Sequence, residues 1–373
     1  MSSKTWFSND IERLRGFACI PVLVQHLAWI CPMPFIYDLL PSWLLFGTGG
    51  VHIFFAISGF VVTMSLKDKF ESGGGGVFLE RLASLSKVIV SFYKRRFFRV
   101  FPVMVFSLIL VGMFLGFTEK DASWAPALWR APLEIMSGVY QNSVEAFVGQ
   151  ERIHMGGVAP FWTLSVDILF YTIWPILLLM CRSNNARAIM ALLLGLFFML
   201  VVYPVSFVLV GKKYYLIQNN VAELLLGSFF AFVCDKTSRE FNRIVSMMVA
   251  TVLCLAVWVY PSLMANSHFA NVVLNLASVG VVALAVFREG SFDIPVLNRI
   301  FDYLGSRSFS FYSVQLILAN IVVWYTDSIY FPRETISSSN FHLCQFSIFI
   351  LLLMAVTELV HRYIEKPARR LGR

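Results

Sequence analysis

The sequence predicts an all-helical integral membrane protein that crosses the bilayer about ten times, with both termini on the cytoplasmic side. Of its 373 residues, 58% are apolar and only 14% are charged, whereas about a quarter of the residues in a soluble domain are charged. The mean hydropathy over the whole chain is +0.72. A water-soluble globule could not bury this much apolar surface, so the bilayer is the expected solvent.

Each predicted span is an apolar run of about 20 residues, the length that crosses about 30 Å of hydrocarbon. The runs lie near 17–35, 50–66, 98–117, 161–181, 188–210, 214–233, 244–262, 270–287, 308–326 and 343–361. We interpret the first as a retained span, because acidic residues precede it and no small-residue cleavage site follows it.

The distribution of basic residues predicts the orientation. Of the 30 Lys and Arg residues, only six fall in the predicted outer segments: Lys120, Arg130, Arg152, Lys212, Lys213 and Arg333. Cytoplasmic loops of membrane proteins collect positive charge, so this topology explains the net charge of +8 without nucleic-acid binding. The six cysteines are scattered without paired spacing, so neither a metal site nor a disulfide framework is expected.

Two connections are long. The inner one, 67–97, contains four consecutive glycines at 73–76, which we interpret as a flexible linker because no Gly-Lys-Ser/Thr sequence follows them. The outer one, 118–160, is rich in Trp, Pro and acidic residues. No internal repeat is evident, which argues against a transporter built from inverted halves. We expect one domain over 1–373, with no appended periplasmic domain.

Ionisable residues are rare inside the predicted spans, and each costs about a few kcal/mol there. They include His26, Asp167, Glu223 and Glu358. His26 follows Arg15 by eleven residues, a rotation of about 1,100°, so the two side chains leave one helix face about 16 Å apart. An anion held by Arg15 could extend a long arm to His26. The alternative is an interfacial arginine and a histidine bonded to a neighbouring helix.

Three arginines, Arg95, Arg96 and Arg99, lie where the third span begins, and Arg96 and Arg99 share a face. Guanidinium groups bind phosphate in a bidentate manner, so the cluster suits a phosphorylated ligand. Contact with membrane lipid headgroups explains it equally well. Asp167 lies at a depth similar to that of His26, where it could orient the imidazole or serve a polar helix contact.

Five segments, in order, resemble the bacterial membrane acyltransferase 3 family. The first contains Leu14-Arg15-Gly16, with His26 downstream, and the fourth ends at Asp167. The segments are 11–18 with His26, 50–60, 95–102, 161–167 with its Trp-Pro continuation, and 363–370. The chain departs from the family pattern at three positions. His52 stands where the family often has Asp, Asp167 stands where it usually has Glu, and Gln315 stands where many members have His.

The resemblance implies transfer of an acetyl group from acetyl-CoA to a sugar hydroxyl at the bacterial inner membrane. It implies that Arg15, Arg95, Arg96 and Arg99 hold the phosphate-bearing head of coenzyme A. His26 would be the general base or a transient acyl carrier, and Asp167 would orient it. No metal is implied.

The acceptor implied is a surface polysaccharide or a lipid-linked saccharide such as O-antigen. Ser58 and Ser165 are candidate oxyanion donors, Gln315 is a candidate substrate residue, and Trp162 could stack on a sugar. Two rivals remain: a flippase of lipid-linked saccharides, and an acyltransferase with a small-molecule acceptor.

Overall fold

The computed structural model describes residues 9–30, 44–45, 47–71, 78–118, 124–137, 160–202, 215–234, 242–263, 268–329 and 339–373. Within these ranges all extended regular elements are helical. They are α1 (Asn9–Ile30), α2 (Gly49–Glu71), α3 (Phe78–Thr118), α4 (Ala125–Ser137), α5 (Phe161–Met180), α6 (Asn184–Phe197), α7 (Tyr215–Val233), α8 (Arg243–Leu263), α9 (His268–Phe287), α10 (Asn298–Ser306), α11 (Ser308–Ile329), α12 (Ser339–Val360) and α13 (Lys366–Leu371). Five-residue π-helical turns follow α6 and α12.

The predicted all-helical membrane class is confirmed. Seven helical segments among the described residues are long and apolar enough to cross a bilayer, and shorter apolar segments lie at 221–233 and 271–287. Each predicted span overlaps a helix, although the count of ten stays a prediction. The helix α1 opens with Asp10, Glu12, Arg13 and Arg15, which shortens its apolar part.

Two predicted connections contain helix. The third span was expected to begin at about 98, but α3 runs unbroken for 41 residues from Phe78, because residues 78–97 contain no Gly or Pro to stop it. In the outer connection, α4 buries Ala131 and Ile135 and exposes Trp129 and Leu133. An amphipathic segment of this kind forms a helix by packing one face. The glycine run 73–76 lies outside the described residues.

The described residues form two compact units. Unit 1 comprises Met1–Val22, Phe46–Phe92 and Phe170–Ser306, and unit 2 comprises Leu23–Leu45, Tyr93–Leu169 and Arg307–Arg373. Three of the boundaries fall within α1, α3 and α5, so each of these helices contributes to both units.

The centre of unit 1 is the close packing of α2 against α7. A Cβ atom on Gly59 would lie 1.9 Å from the Leu224 carbonyl oxygen, and one on Gly227 would lie 2.3 Å from that of Ala56. Glycine at both positions lets the two backbones touch, as is common where helices pack in membranes. The hydroxyl of Ser228 adds a hydrogen bond of 3.2 Å to the Gly59 carbonyl.

Two basic side chains, the buried Arg187 and the partly buried Lys67, donate to carbonyl groups at helix ends in unit 1. Arg187 is 1% exposed and donates to the carbonyls of Leu178 and Phe70, each at 3.2 Å, and to Asn184 Oδ1 at 2.8 Å. Lys67 donates to the carbonyls of Ala231 and Phe232 at 3.3 Å. The terminal carbonyls of a helix have no partner within it, so these cations supply donors where the helix dipole favours positive charge.

The core of unit 2 joins α3, α4, α5 and α11. It includes Val100, Met104, Leu164, Ile168 and Ile317. At the start of α5, Thr163 donates to the Pro160 carbonyl at 2.9 Å, and Tyr312 on α11 donates to the same oxygen at 3.2 Å. These bonds set the register of α5 against α11 and so position the polar residues of both helices.

Candidate active site

The helix α1 carries both residues on which the sequence argument depends. It is continuous from Asn9 to Ile30, with Pro21 inside it, so Arg15 and His26 share one helix as their spacing requires. Arg15 belongs to unit 1 and His26 to unit 2. Both are partly buried.

The helix α5 presents three predicted residues within unit 2. Ser165 is fully buried, and its hydroxyl donates to the Ile135 carbonyl of α4 at 3.3 Å. Trp162 and Asp167 are partly buried on the same helix. To act as an oxyanion donor, Ser165 would have to exchange this long bond for the substrate. The role of Asp167 in orienting His26 stays a prediction.

Gln315 is the most unusual buried polar group of unit 2. It is 1% exposed on α11, and neither its amide oxygen nor its amide nitrogen has a hydrogen-bond partner among the described residues. An amide buried without hydrogen bonds costs about 1–3 kcal/mol. Such a cost is explained if the amide serves a ligand or an ordered water.

The arginine cluster of α3 lies beside a buried carboxylate that the sequence argument did not identify. Glu365 is 2% exposed and accepts from Ser310 Oγ at 2.6 Å and from Arg369 at 3.4 Å. His361 Nδ1 lies 3.0 Å from the same carboxylate, and the Arg99 charge acts on it. Glu365 therefore lies near basic side chains of two segments, Arg99 of α3 and His361 and Arg369 of the C-terminal region.

The C-terminal helix α13 packs directly on the arginine segment. A Cβ atom on Gly372 would lie 3.0 Å from Phe98 Cβ and 3.3 Å from Arg95 Cα. The residue that follows the 363–370 motif and α13 therefore packs against α3. Glu358, named from the sequence as an ionisable residue within a span, forms a 2.6 Å ion pair with Arg307.

In unit 1, Ser58 and a second polar group lie on α2. Ser58 Oγ and Tyr171 Oη share a 2.9 Å hydrogen bond. His52 Nδ1 bonds to Glu223 Oε1 on α7, and the Asn275 amide of α9 donates to the same oxygen when it is turned so that its nitrogen faces the carboxylate. Glu223 was named from the sequence as an ionisable residue in a span, but its pairing with His52 could not be seen because the two lie 171 residues apart.

Comparison with known proteins decides the family. Residues 8–359 match the family model described as an acyltransferase domain. The chain belongs to this acyltransferase family. The match covers nearly the whole chain, which agrees with the resemblance drawn from the five sequence segments, and makes this a family of acyl-transferring enzymes.

Relatives of this acyltransferase carry more specific names. An O-acetyltransferase OatA of Staphylococcus aureus (strain NCTC 8325 / PS 47) is 22% identical over 97% of this chain and 57% of its own length. A peptidoglycan O-acetyltransferase OatA of Listeria monocytogenes is 22% identical over 97% of this chain and 56% of its own length. The chain thus spans little more than half of these relatives. No solved structure matches it significantly.

The part of the chain that the structure describes contains no evident metal site. No group of three or more His, Cys, Asp or Glu side chains there has the arrangement of a metal site. Acid–base side chains within the described helices include His26, His52, Asp167 and Glu223.

Proposed function

We propose that this acyltransferase is an O-acetyltransferase of the bacterial inner membrane. It moves an acetyl group from cytoplasmic acetyl-CoA to a hydroxyl of a surface polysaccharide or a lipid-linked saccharide such as O-antigen. The family match over residues 8–359 carries the proposal. Relatives named O-acetyltransferases, one of them a peptidoglycan O-acetyltransferase, support acetyl as the group and a saccharide as the acceptor.

The α3 arginines are the proposed site for the donor's phosphate groups. Arg95, Arg96 and Arg99 are all partly exposed, so their guanidinium groups can meet a soluble ligand. The packing of Gly372 on this segment and the charge of Glu365 near Arg99 support a held arrangement of the cluster. A guanidinium fork held by a carboxylate loses less entropy when it binds phosphate. Arg15 is proposed as a further phosphate ligand.

His26 is the proposed centre of the transfer in unit 2. As a general base it takes the proton of the acceptor hydroxyl, or as a carrier it holds the acetyl group for one step. Asp167 orients its ring. Gln315, buried with both amide atoms lacking a described partner, is proposed to bind the acceptor, since it can donate to one sugar oxygen and accept from another hydroxyl. Ser58 and Ser165 are the proposed oxyanion donors, and Trp162 the proposed stacking surface.

The test uses purified protein in sealed vesicles of known orientation. Acetyl-CoA with a labelled acetyl group is supplied on the face that bears the α3 arginines, and a membrane-impermeant saccharide acceptor is supplied on either face. Labelled saccharide formed from acceptor on the opposite face is the expected result.

Two other results would redirect the proposal. Transfer only to acceptor on the donor's face would favour a cytoplasmic small-molecule acceptor. Movement of lipid-linked saccharide across the vesicle membrane without any acetylation would favour a flippase and contradict the enzyme role.

A further inference from the structure

Two basic segments of unit 2 meet at the buried carboxylate of Glu365. Residues 93–102 of α3 contain four Lys or Arg and no acidic residue, and residues 359–373 contain five Lys or Arg and one acidic residue, Glu365. The charge of Arg99 acts on this carboxylate, and Arg369 of α13 donates to its Oε1 atom at 3.4 Å. Guanidinium groups from two separate helices therefore share one carboxylate.

The local structure of the second segment places its polar residues on one face. A π-helical turn from His361 to Glu365 leads into α13, and turns of this kind are frequent at functional sites. His361, Glu365 and Arg369 follow one another at intervals of four residues, the spacing of one helix face. The Oε2 atom of Glu365 accepts from Ser310 of α11 at 2.6 Å and lies 3.0 Å from His361 Nδ1. The carboxylate is thus held from two sides, with Arg369 on the Oε1 side.

One carboxylate does not balance the positive charge at this point. Glu365 carries one negative charge, whereas Arg99 and Arg369 each carry a permanent positive charge, because a guanidinium group is not deprotonated in proteins. The carboxylate of Glu358 is engaged by two other arginines. Like charges close together repel, so the two guanidinium groups gain when an anion binds between them.

Packing presents Arg369 to solvent beside the α3 arginines. Its side chain is 45% exposed, whereas that of Glu365 is 3% exposed. A Cβ atom on Gly372 would lie 3.0 Å from Phe98 Cβ and 3.3 Å from Arg95 Cα, so the backbone just after α13 lies against α3. Arg369 is therefore attached to a helix that is fixed on the arginine segment, and a soluble ligand can reach it.

We propose that Arg369 and Arg99 together bind one phosphate group of coenzyme A, with Glu365 as a positioning residue. This assignment rests on the proposed function and adds α13 to a donor site that was built from α1 and α3. Forks from two helices can contact different oxygens of one phosphate. Because Glu365 holds both guanidinium groups near each other before the ligand arrives, less entropy is lost on binding.

Three variants isolate the role of Arg369. Arg369→Ala removes both the charge and the fork, and Arg369→Lys keeps the charge without the fork. Arg370→Ala is the matched control, since it removes the same charge from the adjacent, equally exposed position of α13. Arg370 is not among the described hydrogen-bond partners of Glu365.

Calorimetry on the full chain in nanodiscs of neutral phosphatidylcholine measures the affinity for coenzyme A. Arg369→Ala should weaken binding about tenfold, as expected for the loss of a charge-assisted hydrogen bond. Arg369→Lys should fall between Ala and wild type, and Arg370→Ala should bind nearly as the wild type does. Wild-type affinity in Arg369→Ala, or an equal loss in Arg370→Ala, would overturn the proposal. A wild type that binds no coenzyme A would overturn the proposed donor itself.

A double variant tests whether the two arginines share one phosphate. Arg99→Ala with Arg369→Ala should weaken binding by less than the product of the two single losses, because residues that contact the same group are coupled. A loss equal to that product would contradict a shared phosphate.

Steady-state kinetics separates donor binding from a structural role. Arg369→Ala should raise the KM for acetyl-CoA while kcat at saturating donor stays near that of the wild type, the pattern of lost binding that is equal in ground and transition states. A lower kcat with an unchanged KM would mean that Arg369 only maintains the fold, and would overturn the proposal.

A phospholipid headgroup offers the same phosphate chemistry, so a second measurement separates the two sources. Native mass spectrometry of protein released from nanodiscs that contain anionic phosphatidylglycerol counts the lipids that stay bound. Wild type and Arg369→Ala should retain the same number. Loss of phosphatidylglycerol from Arg369→Ala with unchanged affinity for coenzyme A would identify a lipid headgroup as the ligand and overturn the assignment to the donor.

Discussion

The two units each bury a glutamate that meets a histidine, but they balance its charge differently. In unit 2, Glu365 meets Arg369 and His361 and lies near Arg99. In unit 1, the partners of Glu223 among the described residues are the imidazole of His52 and the amide of Asn275, turned so that its nitrogen faces the carboxylate. Permanent cations keep a carboxylate ionised whatever its neighbouring imidazole does.

The difference separates two kinds of buried carboxylate. Glu365 can hold a cluster of cations in place because its arginine partners stay charged. Glu223 has no permanent cation among its described partners. Glu365 therefore suits the support of an anion-binding cluster, a role for which Glu223 lacks the cationic partners.

The largest expected effect concerns His26 of unit 2. His26→Ala should lower acetyl transfer by at least about 100-fold, since a methyl group can neither accept a proton nor carry an acyl group. Expression, membrane insertion and coenzyme A binding should stay near normal. The measurement is the initial rate at saturating donor, with Leu23→Ala on the same helix as control. Near-normal transfer by well-folded His26→Ala would remove His26 from the chemical step.

The arginine cluster near Glu365 predicts an effect on coenzyme A binding. Arg96→Ala and Arg99→Ala should each weaken coenzyme A binding by about tenfold or more, because a charge-assisted hydrogen bond contributes about 1.5–3 kcal/mol. The Lys variants should fall between wild type and Ala, since lysine keeps the charge but lacks the fork. Calorimetry with coenzyme A and its dephospho form measures this. Unchanged affinity in both Ala variants would leave lipid headgroups as the partner of the cluster.

A smaller effect is expected when Glu365 itself is replaced by a neutral residue. Glu365→Gln should lower the unfolding free energy by about 1–3 kcal/mol, because buried hydrogen bonds to charged groups weaken. It should also reduce coenzyme A affinity less than Arg99→Ala does. Glu358→Gln is the matched control, since its carboxylate is 30% exposed and its ion pairs are worth less. Equal effects of the two variants would mean that Glu365 does not organise the cluster.

The smallest effect concerns a surface cluster in unit 1. Hydrogen bonding from Asn298 first, and then the charges of Arg13 and Arg243, hold the pKa of Asp293 below 3.8. Its stabilising contribution is therefore present above pH 3.8 and is lost as the pH falls through the lowered value. Asp293→Asn should flatten the fall of the unfolding midpoint in this acid range. An unchanged acid slope would show that these exposed charges contribute nothing measurable.

The pKa of Asp10, in the same region, is shifted in the opposite direction. Burial raises its pKa above 3.8, although the backbone N–H groups of Gly290 and Ser291 donate to its carboxylate at 2.7 and 3.1 Å and oppose the shift. A raised value means that this group contributes less stability as the pH rises through its titration range. The two aspartates therefore partly cancel in any acid titration of unit 1.

Much of the fold followed from local sequence. The positions of the helices followed from hydropathy, because an apolar run of span length in a bilayer must satisfy its own backbone hydrogen bonds. The family followed from five short segments whose order does not depend on tertiary contacts. The helical stretches inside two predicted connections were missed, because those parts of α3 and α4 are amphipathic and fall below the hydropathy of a span.

The sequence alone thus determined the all-helical membrane class, the family and the residue types available for acyl transfer. Only the tertiary structure decided their partners. It joined His52 to Glu223, and Glu365 to Ser310, across 171 and 55 residues, and it left the Gln315 amide without a described partner. The physical reason is that helix formation and insertion depend on neighbours within a few turns, whereas a buried carboxylate's charge depends on which distant donors packing brings to it.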